Sequence, residues 1–248
     1  MMRNGNSGCG VALMLFTLAS VGFAGIDDGL VLFYEFEGDG DVLIDSSGNG
    51  FDGKLSTASR TSEGLIGKGI EFTAPDQFAD AAVDEGLVAK DAFTISVWVK
   101  PLALDPEGEN RVTYKHDQFN LDLQYGRGRL EVRSGKRWWG TDAKEQPPVD
   151  LNEWLHMALT FSTASGAAMY HNGVRVAENL EVPSLDQTND YWRLGNLGHA
   201  AFVGIMDQHR WYHRAMTDSE VLELFEEPIA VSPIGALTTS WGKIKHMR

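Results

Sequence analysis

The sequence predicts an all-β fold, a β-sandwich or jelly roll, from three observations. Short runs rich in Val, Ile, Phe, Tyr and Trp recur along the chain. Turns rich in Gly, Asn and Asp separate them. A helical period appears only near the C-terminus.

The elements follow in order. GLVLFYEF (29–36) is an apolar, aromatic strand, and DSSGNGFDG (45–53) is a loop of residues suited to turns and left-handed backbone. GKGIEF (67–72) resumes extended structure, and DEGL (84–87) supports a single helical turn. In FTISVWVKP (93–101), Phe93, Ile95, Val97 and Val99 share one side and Trp98 lies on the other, so both faces of this strand should be covered. Pro101 is expected to end it. FNLDLQYGRGRLEVRSG (119–135) reads as two alternating strands around a Gly126–Gly128 turn. WLHMALTF, AAMYHNG and VRVAENL repeat the pattern, with Asn172–Gly173 as a hairpin turn because both residues tolerate positive φ. YWRLGNLG and FVGIMDQHRWY supply the last strands. Thr217 and Glu220 then have capping-box spacing before the apolar stripe Val221, Leu222 and Phe225, and Pro228 is expected to stop the helix.

The ends differ from the body. Arg3, an apolar run over 11–21, and the small residues Gly22 and Ala24 ahead of Gly25 read as a secretory signal over 1–24; a retained amphipathic anchor is the alternative. The run is too short to span a bilayer, so the mature chain is expected to carry no transmembrane segment and to be exported, to the periplasm, the cell surface or the medium. The single cysteine, Cys9, leaves with the signal. Residues 25–230 show no linker and read as one domain. The locally basic 231–248 is a tail: a mobile terminus by default, or an added edge strand or recognition tag. With 21 basic and 35 acidic residues the formal charge is −14, which argues against nucleic acid as a partner and favours cations.

Taken in order, GLVLFYEF, DSSGNGFDGKL, GKGIEF, FTISVWVKP, NEWLHMALTF, YHNGVRVA, YWRLGN and FVGIMDQHRWYHRAMTDSEV resemble the laminin G-like, concanavalin A-like lectin-glucanase superfamily, especially bacterial LamG-like jelly rolls, over about 29–225. The resemblance implies two curved antiparallel sheets packed face to face, with one short helix near the C-terminus. It does not imply one activity, because relatives serve as carbohydrate-binding modules, adhesion domains, accessory parts of hydrolases and, in some branches, catalytic domains.

In similar domains a calcium ion ties the early loop to the penultimate strand. The matching residues are Asp45 and Asn49 with Asp207, and Asp52 as a secondary candidate; calcium would take their oxygens together with carbonyls and water. The alternative is structural: Asp45 starts an Asx turn, and Asp207 caps a bulge or pairs with Arg210. Gln208 stands where an acidic residue often follows in the family. Zinc is disfavoured because His116, His156, His171, His199, His209 and His213 form no compact pattern and HExxH is absent.

For binding, the candidates are Arg137, Trp138, Trp139 and Tyr191, since ring faces stack on sugars while polar groups bond hydroxyls. Of the adjacent tryptophans at most one can be core on a regular strand. Trp98 and Trp154 read as packing residues, as do Trp192 and Trp211 in the alternative to their serving a ligand, and His156 reads as structural. The ExDxxE pattern of laminarinase-like relatives is absent, Asp122 and Glu131 on neighbouring strands are not marked as an opposed pair, and no nucleophile elbow or phosphate loop occurs. The expectation is a noncatalytic recognition or adhesion module with a glycan as partner; an extracellular protein is the alternative partner.

Overall fold

The computed structural model describes residues 25–195 and 201–231. The predicted signal with Cys9, His199 and the tail from 232 onward lie outside the described residues. The strands in chain order are β1 (Leu30–Tyr34), β2 (Val42–Leu43), β3 (Gly53–Lys54), β4 (Ser59–Thr61), β5 (Gly69–Phe72), β6 (Phe78–Asp80), β7 (Ala92–Ala103), β8 (Arg111–Lys115), β9 (Phe119–Asp122), β10 (Arg129–Ser134), β11 (Arg137–Gly140), β12 (Leu155–Ser162), β13 (Gly166–His171), β14 (Val174–Asn179), β15 (Trp192–Gly195) and β16 (Val203–Tyr212), followed by the helix α1 (Asp218–Val231).

They form two antiparallel sheets. The first runs β14-β13-β12-β7-β16-β5-β4, with β1 also paired to β16, and the second runs β11-β10-β9-β8-β15-β6-β3-β2. Alternation along the strands builds the core between them: Phe93, Ile95, Val97 and Val99 from β7, and Met157, Leu159 and Phe161 from β12, face Phe119, Leu121, Leu130, Val132, Trp192 and Leu194 of the second sheet. Phe93, Phe119, Trp192 and Trp211 interlock at its centre, with Phe93 and Trp211 4.8 Å apart and Trp192 and Trp211 5.0 Å apart. The Trp192 indole N–H donates to Thr113 Oγ1 at 2.8 Å. Trp192 and Trp211 are thus packing residues, as is Trp98, while Trp154 is half-buried just before β12.

The outer face of the first sheet is covered. Ala158, Ala168, Tyr170 and Tyr212 pack against Val221 and Leu224 of α1, and Trp98 stacks on Phe225 at 5.4 Å. The helix starts as its sequence predicts: Glu220 accepts from the Thr217 N–H at 2.8 Å, and Thr217 Oγ1 accepts from the Glu220 N–H at 3.4 Å. Two proline expectations are corrected. Pro228 does not stop the helix, which continues to Val231; it removes one helical N–H, but it is buried, and neighbouring Leu224 and Phe225 hold the segment on the sheet. Pro101 lies inside β7 rather than at its end, opposite Gly204 where the β7–β16 register shifts, a position at which the ladder does not need its missing N–H.

Candidate functional site

The predicted metal ligands fall into two groups. Asp45 opens an Asx turn, accepting from the Ser47 N–H at 3.0 Å. Its carboxylate also takes the N–H of Phe33 and of Phe51, each at 3.0 Å, and the Ser47 hydroxyl at 2.9 Å. Burial opposes ionisation, but these donors hold its pKa below the usual carboxylate range. Asp52 accepts from the Asp45 N–H at 2.8 Å, and the Asn49 amide donates to the Val31 carbonyl at 3.0 Å. Hydrogen bonds of the chain therefore pin this loop onto β1.

Asp207 lies on β16 where that strand changes neighbour. β5 pairs with Gly204–Met206 and β1 with His209–Tyr212, and between them the ladder bulges with Gln208 at φ 52°. The Asp207 carboxylate accepts from Ile66 at 3.0 Å and from Gln208 at 2.8 Å. Burial pushes its carboxyl up to about 7 against those bonds. Arg210 does not pair with it and turns to Glu227 instead. Among the described residues no group of three or more His, Cys, Asp or Glu is gathered where a metal could be held. The carboxylates of Asp45 and Asp207 are each engaged by N–H groups of the chain.

The second sheet has a different outer face. In β9 and β10, Leu121, Leu130 and Val132 point into the core, which turns Asn120, Asp122, Arg129, Glu131 and Arg133 outward. The register aligns these with the flanking strands. Asp80, Arg193, Tyr114, Asn120 and Glu131 stand opposite one another in a row crossing β6, β15, β8, β9 and β10. A second row holds Arg111, Asp122 and Arg129.

Aromatic groups occupy one end of the face. Tyr191 stacks on His116 at 4.8 Å and meets Tyr114 edge-on at 5.7 Å. The Arg193 guanidinium lies 4.7 Å from the Tyr191 ring and 4.4 Å from that of Phe78. An Asp190 carboxylate oxygen lies 2.8 Å from His116 Nδ1.

A charged network occupies the opposite end of β8, β9 and β10. Arg129 Nη2 lies 2.6 Å from Asp122, 3.2 Å from Glu131 and 3.3 Å from Glu109, and Arg111 lies 2.6 Å from Glu109. Burial pushes the Asp122 carboxyl up to about 7 despite Arg129 and Arg111. Asp122 and Glu131 thus share one guanidinium and do not flank an open gap as a hydrolytic pair would.

The binding candidates separate by alternation. Trp138 is 39% exposed on the open face, with Arg133 5.7 Å from its ring. Trp139 is on the other side of β11, packed against the core, with Arg137 5.8 Å from its ring. The face therefore joins Tyr191 and Trp138 but not Arg137 or Trp139. Sequence reasoning missed Tyr114, Asn120, Arg129 and Arg193, and weighed Asp122 and Glu131 only as a catalytic pair. Alternation within β8, β9, β10 and β15 marks them as outward, but cross-strand register was needed to make them one surface. Two clefts lie elsewhere. One borders Glu85, Lys90, Asp91 and His213, and the other borders Phe33, Glu35, Arg210 and Glu227, where Arg210 already covers the Phe33 ring at 4.2 Å.

One face of this two-sheet jelly roll is covered by a helix and the other is open. The chain belongs to the concanavalin A-like lectin/glucanases superfamily, whose laminin G-type family profile matches residues 75–222. The binding domain of Paraclostridial Mosquitocidal Protein 1 superposes with a TM-score of 0.69 at 18% identity, over 82% of this chain and 53% of that one. The chain thus spans about half the length of that domain. Domain 4 of AbnA, a GH43 extracellular arabinanase of Geobacillus stearothermophilus solved with arabinotriose, superposes with a TM-score of 0.64 at 25% identity, over 79% of this chain and 97% of that one. The ligand-binding domain of botulinum neurotoxin serotype D, solved with N-acetylneuraminic acid, gives a TM-score of 0.66 at 10% identity, over 81% of this chain and 51% of that one. No curated protein sequence matches. Among the described residues no helix is long and apolar enough to cross a membrane.

Proposed function

We propose that this chain is an exported, noncatalytic carbohydrate-binding module, and that its ligand lies on the open face of the second sheet. The observation that carries the reading is the row Asp80, Arg193, Tyr114, Asn120 and Glu131 beside the Tyr191–His116 stack. Ring faces beside fixed donors and acceptors suit a hydroxylated ligand on an open surface. The match to 97% of domain 4 of an extracellular arabinanase, solved with arabinotriose, supports it.

The test is calorimetry of the purified chain against arabinotriose and a panel of other oligosaccharides, with Tyr191→Ala as the variant. Saturable binding that the variant loses, with its melting unchanged, supports the reading. Binding that Tyr191→Ala leaves intact would move the site off this face.

A protein partner is the second reading. The edge strand β14 leaves Val174 63% exposed, and Leu180 just beyond it is 64% exposed, a surface that suits strand or side-chain docking better than a sugar. Calcium as a tie between the early loop and β16 is not needed by either reading, because Asp45 and Asp207 are engaged by N–H groups of the chain.

A further inference from the structure

We infer that the ligand of the open face is an uncharged oligosaccharide laid across the strands, and that acidic glycans are rejected. This rests on the carbohydrate reading and narrows it to a chemical class.

The first ground is charge. An acidic sugar is held by a guanidinium free to pair with its carboxylate. The four arginines of this face are all engaged. Arg111 and Arg129 share Glu109 and Asp122, Arg133 is paired with Asp117, and Arg193 lies 3.6 Å from Asp80. Glu131 and Asp190 add further negative charge, and His116 is the partner of Asp190. Carboxylates therefore outnumber guanidiniums, and an incoming carboxylate meets repulsion without a vacant guanidinium across β8, β9, β10 and β15; the exposed Lys54 stands only at the far end of the row, opposite Asp80.

The second ground is hydrogen bonding. Asn120, 2% exposed, spends its amide N–H on Glu131 at 2.9 Å, and its Oδ1 has no donor. Asp122, fully buried, likewise has an Oδ1 that accepts no hydrogen bond. Buried polar atoms without partners are costly, and the Nε groups of Arg111, Arg133 and Arg193 likewise make no hydrogen bond, so the face holds unmet donors as well as unmet acceptors. A hydroxyl both donates and accepts and so suits such a mixed surface, whereas a carboxylate can only accept.

The third ground is the direction of the row. Asp80 to Glu131 spans five strands at about 4.8 Å spacing, roughly 19 Å in all. That is the reach of a short oligosaccharide, not of a monosaccharide.

The experiment is calorimetry of the full chain at pH 7 with two matched ladders. Neutral arabino-, xylo- and gluco-oligosaccharides from mono- to pentasaccharide are compared with oligogalacturonides of the same lengths and with sialyllactose. The expected result is binding of at least one neutral series about tenfold or more tighter than any acidic probe of equal length, with affinity rising from mono- to tetrasaccharide. Glu131→Gln, at a partly exposed position, should shrink the neutral-to-acidic ratio severalfold while melting stays near wild type. Equal or tighter binding of the acidic ladder overturns the inference but keeps the carbohydrate reading. Binding that is the same for mono- and tetrasaccharide overturns the crosswise geometry. Failure of every saccharide removes both the inference and the reading on which it rests.

Discussion

Asp122 and Arg129 face each other across β9 and β10, with Asp122 Oδ2 2.6 Å from Arg129 Nη2 and 3.2 Å from its Nε. The carboxylate is fully buried, and Arg111 approaches its other oxygen at 3.7 Å. Asp122→Ala would leave two largely covered guanidiniums without their central acceptor. A loss of about 3 kcal/mol is expected, because breaking a buried pair strands the remaining charge. Urea unfolding of variant and wild type measures it. A change below about 1 kcal/mol would mean that Glu109 and Glu131 suffice to hold the arginines.

The two tryptophans of β11 should behave oppositely. Trp138 stands outside, opposite Arg133, and Trp139 stands opposite Val132 and packs against the core. Trp139→Ala is expected to cost about 2 kcal/mol or more by losing packed area, whereas Trp138→Ala should stay within about 0.5 kcal/mol of wild type. Melting curves of the two variants decide it. Equal losses would put both rings in the core.

The contrast within this strand marks how far the sequence could be read. Alternation was legible wherever one face is core: it sorted Phe93, Ile95, Val97 and Val99 from Trp98, and it split the WWG pair. Turns carried by local chemistry, such as Asn172–Gly173 and the Thr217–Glu220 cap, were legible as well. The open face was not, because Tyr114, Asn120, Glu131 and Arg193 become neighbours only through pairing between strands distant in sequence. The prolines misled for a related reason: burial of Pro228 and the register shift at Pro101 are tertiary facts, and they outweigh local propensity.

The hairpin turn also seats the helix. Gly173 has φ of 76°, and a Cβ there would stand 2.8 Å from Leu222 Cδ1 and 3.2 Å from Phe225 Cβ. Gly173→Ala therefore combines left-handed strain with a clash against α1. A loss of about 2 kcal/mol is expected, with the contact between Trp98 and Phe225 loosened. Tryptophan fluorescence and thermal melting report the two effects. An unchanged melting temperature would show that α1 is not packed on this turn.

The early loop should stand without a metal. Asp45 closes it through the N–H groups of Phe33, Ser47 and Phe51. Asp45→Ala is expected to cost about 2 kcal/mol by orphaning those donors, equally in chelator and in millimolar calcium. Wild type should melt at the same temperature in both buffers. A rise in melting temperature with calcium that Asp207→Ala abolishes would instead establish the calcium tie between this loop and β16.

Acid should unfold the domain through its buried histidines. His156 sits beneath α1 with Nε2 2.7 Å from Ser96 Oγ, beside Trp98 and Phe225. Burial first, then the charges of Arg210 and His171, lowers its pKa to about 3. Burial similarly lowers His209 to about 3 and His171 to about 4. A folded pKa below the unfolded value of about 6.5 means that stability is complete above that pH and is lost as pH falls toward the folded pKa. Asp122 and Asp207, raised to about 7, act in the opposite sense: their contribution is present below the unfolded value near 3.8 and is lost as pH rises through 7. Between those limits three histidines oppose two carboxyls, so the net slope favours neutral pH. His156→Gln removes one of the three. Over the fall from pH 7.5 to 5 it should lose about 2 kcal/mol less stability than wild type, at about 1.4 kcal/mol for each unit below 6.5. Urea unfolding at the two pH values measures both slopes. Parallel slopes would mean that His156 is protonated in the folded protein, and that α1 lifts from the sheet before the domain unfolds.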